Sequence, residues 1–125
     1  MKNRIILLVM LMFMGVISAH AQQQGQRRTA EERSKMTVDK LSDSLKLIPA
    51  QKTDIDLVYL EFYKAQDKLR EGLAPGTRPE KADIEKIAEV RDAKLKIILK
   101  EDQYTKLKAM EAAMRQRSQQ RPPGQ

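Results

Sequence analysis

Residues 47–55 of this chain read LIPAQKTDI, and residues 99–107 read LKEDQYTKL. Both copies have Leu, Gln and Thr at the same offsets, and each ends on an aliphatic residue. Leu-x-x-x-Gln, followed by apolar residues at helical spacing, is typical of the start of a helix. The Gln side chain there accepts a hydrogen bond from the backbone N–H of the N-cap residue. The repeat therefore predicts that a helix begins just after each Leu, with another helix before it.

The segments around the two copies have apolar residues at helical spacing, and none alternates with the period of a strand. Thr29 and Glu32 form a capping box that opens the first helix. Pro49 suits the first position of the second helix, where its missing N–H costs nothing. Residues 72–79 are rich in Gly and Pro and form the one clear linker. We predict an all-α fold.

The junction at the second copy contains neither Pro nor Gly. If Lys100 interrupts the helix there, the fold has four helices; if it does not, the last two are continuous and the fold has three. A single long apolar stripe needs a partner to cover it. This reasoning also favours a homodimer.

Residues 1–21 have a basic start, an apolar segment and small residues near the end, the pattern of a secretory signal peptide cleaved after Ala21. The apolar segment is short for a membrane span, so we expect a chain that does not span the membrane after cleavage. Residues 22–29 and 118–125 are polar tracts that cannot bury apolar surface and are expected to be disordered. One helical domain is therefore expected over residues 30–117.

The chain has no Cys, and its single His, His20, lies in the expected signal peptide. The exported protein would therefore lack disulfides, the commonest nucleophile–base pairs and the commonest zinc ligands. No Gly-rich phosphate loop or nucleophile elbow occurs in the sequence. We expect no enzymatic activity, no cofactor and no bound metal ion.

The paired motif, in a small helical chain with an export signal, resembles the Leu-Thr-x-x-Gln motif of the Spy/CpxP family of periplasmic stress proteins. The motif residues that this chain keeps, with an expected structural role, are Leu47, Gln51, Leu99 and Gln103. Ile48 and Lys100 stand where the motif has Thr, which removes an N-cap hydroxyl that stabilises each helix start by roughly 1 kcal/mol. The resemblance covers about residues 30–117 and would make the chain a divergent member.

The resemblance implies thin, bent helical hairpins that pair into a cradle-shaped antiparallel homodimer in the periplasm. Some relatives in the family sense metal ions through His. The mature chain has no His, so metal sensing is not expected here.

The chain has 24 Lys and Arg against 17 Asp and Glu, a formal net charge of +7. Basic and acidic residues interleave along the predicted helices, as is usual for a solvated face with i,i+4 ion pairs. The alternative is a weakly positive surface that attracts acidic stretches of unfolded proteins. The candidate client-binding residues are Lys64, Lys68, Arg91, Lys94 and, as an apolar contact, Tyr63. Tyr59 and Phe62 lie on the apolar stripe and are expected in the core.

These observations favour an ATP-independent periplasmic chaperone or envelope-stress protein that binds unfolded or misfolded envelope proteins. A second hypothesis is a regulatory binding module for an envelope-stress sensor, because CpxP-like relatives are associated with sensor kinases. A third is a structural envelope protein whose basic tail, residues 115–125, binds anionic surface polymers. Nucleic acid is not an expected partner, because an exported protein seldom meets it and aromatic residues do not interleave the basic ones.

Overall fold

The computed structural model describes residues 27–121. Within this range the chain forms four helices, which are α1 (Ala30–Leu45), α2 (Pro49–Glu71), α3 (Lys81–Ile98) and α4 (Glu101–Gln119). No strand occurs among the described residues, so the all-α prediction is confirmed. None of these helices is long and apolar enough to cross a membrane.

Several sequence expectations fall on residues beyond this range. The signal peptide expected at 1–21, residues 22–26 of the expected N-terminal tail and residues 122–125 lie outside the described residues. At the C-terminal side, α4 continues to Gln119, past the domain limit of 117 expected from the sequence.

The ends of α1 are set by local hydrogen bonds. At its start, the Thr29 hydroxyl accepts from the Glu32 N–H at 3.2 Å, and the Thr29 N–H donates to the Glu32 carboxylate at 3.1 Å, which completes the predicted capping box. At its end, Lys46 adopts a left-handed conformation with φ of 55°. The Leu47 N–H then donates to the Ser42 carbonyl at 3.2 Å, a Schellman-type closure that reverses the chain into α2.

The two motif copies start α2 and α4 in the same way. Ile48 and Lys100 are extended N-caps, and neither makes a side-chain capping bond. Instead, Gln51 Oε1 accepts from the Ile48 N–H at 3.2 Å, and Gln103 Oε1 accepts from the Lys100 N–H at 3.0 Å. The chain is therefore interrupted at Lys100, and the described fold has four helices rather than three. A side-chain acceptor replaces the helical carbonyl there, so the break needs neither Pro nor Gly.

The apolar core lies close to where the two motif copies meet. Its most deeply buried apolar side chains, Ile55, Leu95 and Leu107, come from α2, α3 and α4 respectively. Each such burial contributes about 1.5–3 kcal/mol. The α2 helix packs along both α1 and α3, whereas α4 touches α1 and α3 only sparsely. Beyond Glu111 the described part of α4 is exposed, so this helix is anchored mainly at its start.

The loop between α2 and α3 contains a type II turn over residues 74–77. The Thr77 N–H donates to the Ala74 carbonyl at 3.0 Å, and Gly76 has φ of 82°. Pro at the second position and a residue with positive φ at the third define this turn type. The turn gives the loop a fixed shape at the end of the hairpin opposite the motif pair.

We expect Gly76→Ala to lower the free energy of unfolding by about 1 kcal/mol, because an L-residue is strained at positive φ. A Cβ at Gly76 would meet no atom within 4 Å, so steric crowding does not contribute. Gly72→Ala is the matched control, since Gly72 has φ of −81° and equally open surroundings. Urea denaturation should show a neutral or slightly stabilised control. Equal effects of the two changes would contradict the turn assignment.

Candidate functional site

The two motif glutamines form a reciprocal amide pair in the interior. Gln51 Nε2 donates to Gln103 Oε1 at 2.8 Å, and Gln103 Nε2 donates to Gln51 Oε1 at 3.3 Å. Each amide also donates to a carbonyl at the end of the helix that precedes the other motif copy, Gln51 to Ile98 at 3.3 Å and Gln103 to Leu45 at 3.1 Å. With the N-cap bonds included, both hydrogens and both acceptor sites of each amide are used.

Burial agrees with a structural role for the motif. Gln51 and Gln103 are only 8% and 9% exposed, and no buried side-chain N or O atom among the described residues lacks a partner. Leu47 and Leu99 are buried in the apolar core beside the glutamine pair. The four motif residues therefore join the starts of α2 and α4 and present no chemistry to solvent.

Three of the candidate client-binding lysines share one side of the molecule. Lys94 of α3 forms an ion pair with Glu61 of α2, which places it along the α2–α3 seam. Lys64 and Lys68 follow Glu61 at the i+3 and i+7 positions and so lie on the same side of α2. Lys64 also pairs with Glu31 of α1 at 3.4 Å.

Exposed apolar side chains lie among these lysines. Leu57 precedes Glu61 by one turn and is 56% exposed, and Ile97 follows Lys94 by about one turn and is 85% exposed. Val90, at 59% exposed, lines a small cleft between α2 and α3 together with Lys94 and Glu61. We call this surface the outer face and define it by Leu57, Lys64, Lys68, Val90, Lys94 and Ile97.

Arg91 lines the same cleft as Val90 and Lys94, but its guanidinium pairs with a residue of α4 and so is directed away from the outer face. Its side chain is 10% exposed, and its guanidinium sits 4.6 Å from the centre of the Phe62 ring. The same guanidinium donates to the adjacent Asp92 at 2.8 Å and lies 3.3 Å from Glu111 of α4. Lys108 completes the group at 2.5 Å from Asp92. We call Arg91, Asp92, Lys108 and Glu111 the α3–α4 ion network.

Hydrogen bonds favour the charged forms of three members of the α3–α4 ion network, Arg91, Asp92 and Lys108. Burial opposes ionisation of Asp92, yet hydrogen bonds from Lys108 and Arg91 lower the pKa of its carboxyl. Burial likewise opposes the positive charges of Arg91 and Lys108, yet hydrogen bonds to Asp92 raise the pKa of each. The three groups are therefore charged near neutral pH, and the network ties α4 to α3 electrostatically.

Tyr63 is also absent from the outer face. Its hydroxyl is 2.8 Å from the Thr37 hydroxyl of α1, and the Arg33 guanidinium lies 4.8 Å from the centre of its ring. Arg33 in turn pairs with Asp67 across the same seam. Tyr63 therefore helps to hold α1 against α2. Tyr59 and Phe62 are buried, which confirms their predicted place in the core.

Sequence reasoning missed the apolar half of the outer face. Leu57, Val90 and Ile97 do not fall on the apolar stripes that predict the buried sides of α2 and α3. Large apolar residues off such a stripe are a detectable signal, because a solvated helix face is usually polar. The interleaved charges drew attention to Lys64, Lys68 and Lys94 but not to these apolar neighbours.

Within residues 27–121, no group of three or more His, Cys, Asp or Glu side chains is placed to hold a metal ion. In comparisons with known proteins, no family model, no curated protein and no solved structure matches this chain. The resemblance to the Spy/CpxP family therefore remains a prediction.

Proposed function

We propose that this protein is an ATP-independent chaperone of the cell envelope that binds unfolded or misfolded proteins on its outer face. The observation that carries the proposal is the exposure of Leu57, Val90 and Ile97 beside lysines on one side of a thin hairpin. Exposed apolar side chains that lie together, rimmed by polar groups, are typical of surfaces that bind other proteins.

The lysines of the outer face are suited to a first, long-range contact. Lys64 and Lys94 pair with Glu31 and Glu61 at the surface, where such pairs contribute about 0–1 kcal/mol. An acidic stretch of a client can displace these carboxylates at little cost. Once the client is held, the neighbouring apolar side chains provide weak contacts that do not depend on a particular sequence. Because both contacts are loose, the client is released without nucleotide hydrolysis.

We further propose that the protein acts in the periplasm as a homodimer. The signal-peptide pattern of residues 1–21 supports the location. The family resemblance and the sparse packing of α4 support the dimer. An exposed helix such as the C-terminal half of α4, where Met114 is 58% exposed, has apolar surface that a second copy can cover.

The test is light scattering of a chemically unfolded client as it aggregates, with the purified protein and without ATP. We expect near-equimolar protein to suppress aggregation of unrelated clients. The double substitution Leu57→Ser and Ile97→Ser should weaken suppression several-fold, because it removes most of the exposed apolar area of the outer face. Ile48→Ser is the matched control, since Ile48 is similarly exposed at 59% but lies at the N-cap of α2, outside the outer face.

The outcomes separate the hypotheses. No suppression at large excess of folded protein would overturn the proposal, and tight binding to one envelope-stress sensor would then support a regulatory module. Equal loss in the outer-face variant and the Ile48 control would show that the outer face is not the site. Raising the salt from about 0.05 M to about 0.5 M should weaken suppression if lysine capture matters, because screening shortens to a few ångströms.

A further inference from the structure

An open cavity of about 700 Å³ lies at the α2–α3 loop, remote from the motif glutamines. Three arginines line it: Arg27 precedes α1, Arg70 is in the last turn of α2, and Arg78 is in the loop. The wall also includes Gln66, Thr77, Leu73, Pro79 and Ile84. We call this the arginine cavity. None of the six residues that define the outer face belongs to it.

The arginine cavity has an unbalanced positive charge. No carboxylate is among its lining residues. Across residues 27–121, the ion pairs present involve none of Arg27, Arg70 and Arg78. A neighbouring shallow cleft adds Arg28 as well as two acids, Asp67 and Glu71. Asp67 is already paired with Arg33, so the region remains net positive.

The chemistry of the lining favours an anion with several oxygens. A guanidinium presents a planar fork of N–H donors that matches the oxygens of phosphate or carboxylate, and it stays charged at any physiological pH. A phosphate group has more oxygens than a carboxylate and so can accept paired hydrogen bonds from several arginines at once. Gln66 and Thr77 add neutral donors to the same wall.

The loop that forms the cavity is shaped before any ligand arrives. The hydrogen-bonded turn over residues 74–77 fixes the backbone from which Arg78 projects. Arg70 is half-buried on the regular backbone of α2, so its position is also constrained. A pre-organised site loses less conformational entropy on binding than a flexible one. The cavity is larger than a phosphate group needs, and Leu73, Pro79 and Ile84 offer apolar contact to an attached organic part.

We propose that the arginine cavity binds the phosphate group of an anionic ligand, either a soluble phosphate compound or a lipid headgroup. This activity is separate from client binding on the outer face and does not depend on it. Binding would tether or orient the hairpin by its loop end and leave the outer face exposed.

Titration calorimetry of the full chain, purified as the cell processes it, tests the proposal with inorganic pyrophosphate as the probe. We expect Arg70→Gln and Arg78→Gln each to weaken binding about tenfold, since each removes a charged hydrogen-bond donor. Arg115→Gln is the matched control: it removes the same charge from an exposed position on α4 and should change binding less than twofold. Arg70→Lys keeps the charge but loses the fork and should bind more weakly than the original protein.

The proposal would be overturned if the protein did not bind pyrophosphate. It would also be overturned if the control Arg115→Gln weakened binding as much as Arg70→Gln and Arg78→Gln, because the attraction would then be a general electrostatic one. Because Arg70 and Arg78 form no ion pair in the described structure, circular dichroism should find these variants folded. If Arg70→Gln fails to fold, Arg78→Gln in the loop decides alone.

A second arm compares sedimentation with vesicles of phosphatidylglycerol and of phosphatidylcholine. If the protein binds the anionic vesicles and the arginine substitutions abolish this binding, the ligand is a lipid headgroup. If it binds pyrophosphate but not the vesicles, the ligand is a soluble phosphate compound.

Discussion

Gln103→Ala is expected to lower the free energy of unfolding by about 3 kcal/mol, an effect large enough to unfold much of a small domain on mild warming. The substitution removes the acceptor of the Lys100 N–H and the donor to the Leu45 carbonyl. It also leaves the buried Gln51 amide without its reciprocal partner. Each unsatisfied buried polar group carries a desolvation penalty, and the penalties add to the lost packing. Urea denaturation followed by circular dichroism measures the effect.

A double-mutant cycle with Gln51→Ala extends this experiment. Because the two amides satisfy each other, the second substitution should cost much less than the first, and the coupling should be of the order of 1 kcal/mol or more. Gln116→Ala is the matched control, since Gln116 is an exposed glutamine in the same helix as Gln103. If Gln103→Ala cost no more than this control, the amide pair would not hold the two helix starts together.

Arg91→Ala is expected to lower the free energy of unfolding by about 2 kcal/mol, because the half-buried guanidinium makes charged hydrogen bonds that the substitution removes. Asp92 and Glu111 would lose their shared guanidinium, although Lys108 still contacts both. The aromatic ring of Phe62 would also lose the cation above it. The same urea experiment measures this loss. Lys94→Ala is the control, since Lys94 is in the next helical turn and its surface ion pair contributes little.

The comparison of Arg91 with Lys94 also separates folding from client binding. We expect Arg91→Ala to reduce stability, while the fraction that folds still suppresses aggregation of clients. We expect Lys94→Ala to leave stability nearly unchanged but to weaken the suppression of aggregation. An Arg91→Ala protein that stays stable but no longer protects clients would contradict the assignment to the α3–α4 ion network. It would instead support the client-binding role that the sequence alone suggested for Arg91.

Much of the helical architecture follows from contacts between residues close in sequence. The Thr29 capping box, Pro49 at the start of α2 and the Gly-Pro linker all depend on spacings of a few residues. The same holds for each motif glutamine and its own N-cap. Such interactions can be read from a sequence because the backbone geometry that satisfies them is local. Whether Lys100 would interrupt the last helix stayed open, since no Pro or Gly made the break obligatory.

The side on which a charged residue lies was harder to predict. Lys94 and Arg91 are close in sequence, yet one lies on the outer face and the other beneath α4. Helical periodicity alone places them one turn apart on neighbouring positions of α3 and does not identify which of the two side chains α4 covers. That depends on the angle at which the chain leaves Leu99, which no residue pattern specified.

The amino-acid sequence by itself therefore determined the helices, their caps and the residues at which most of them begin and end. Only the tertiary structure decided that Gln51 and Gln103 satisfy each other, that Arg91 is enclosed by α2 and α4, and that the loop arginines line one cavity. The physical reason is distance along the chain. Hydrogen bonds over one helical turn are favoured by the local backbone, whereas contacts between distant residues exist only after the helices have packed and fixed their mutual orientation.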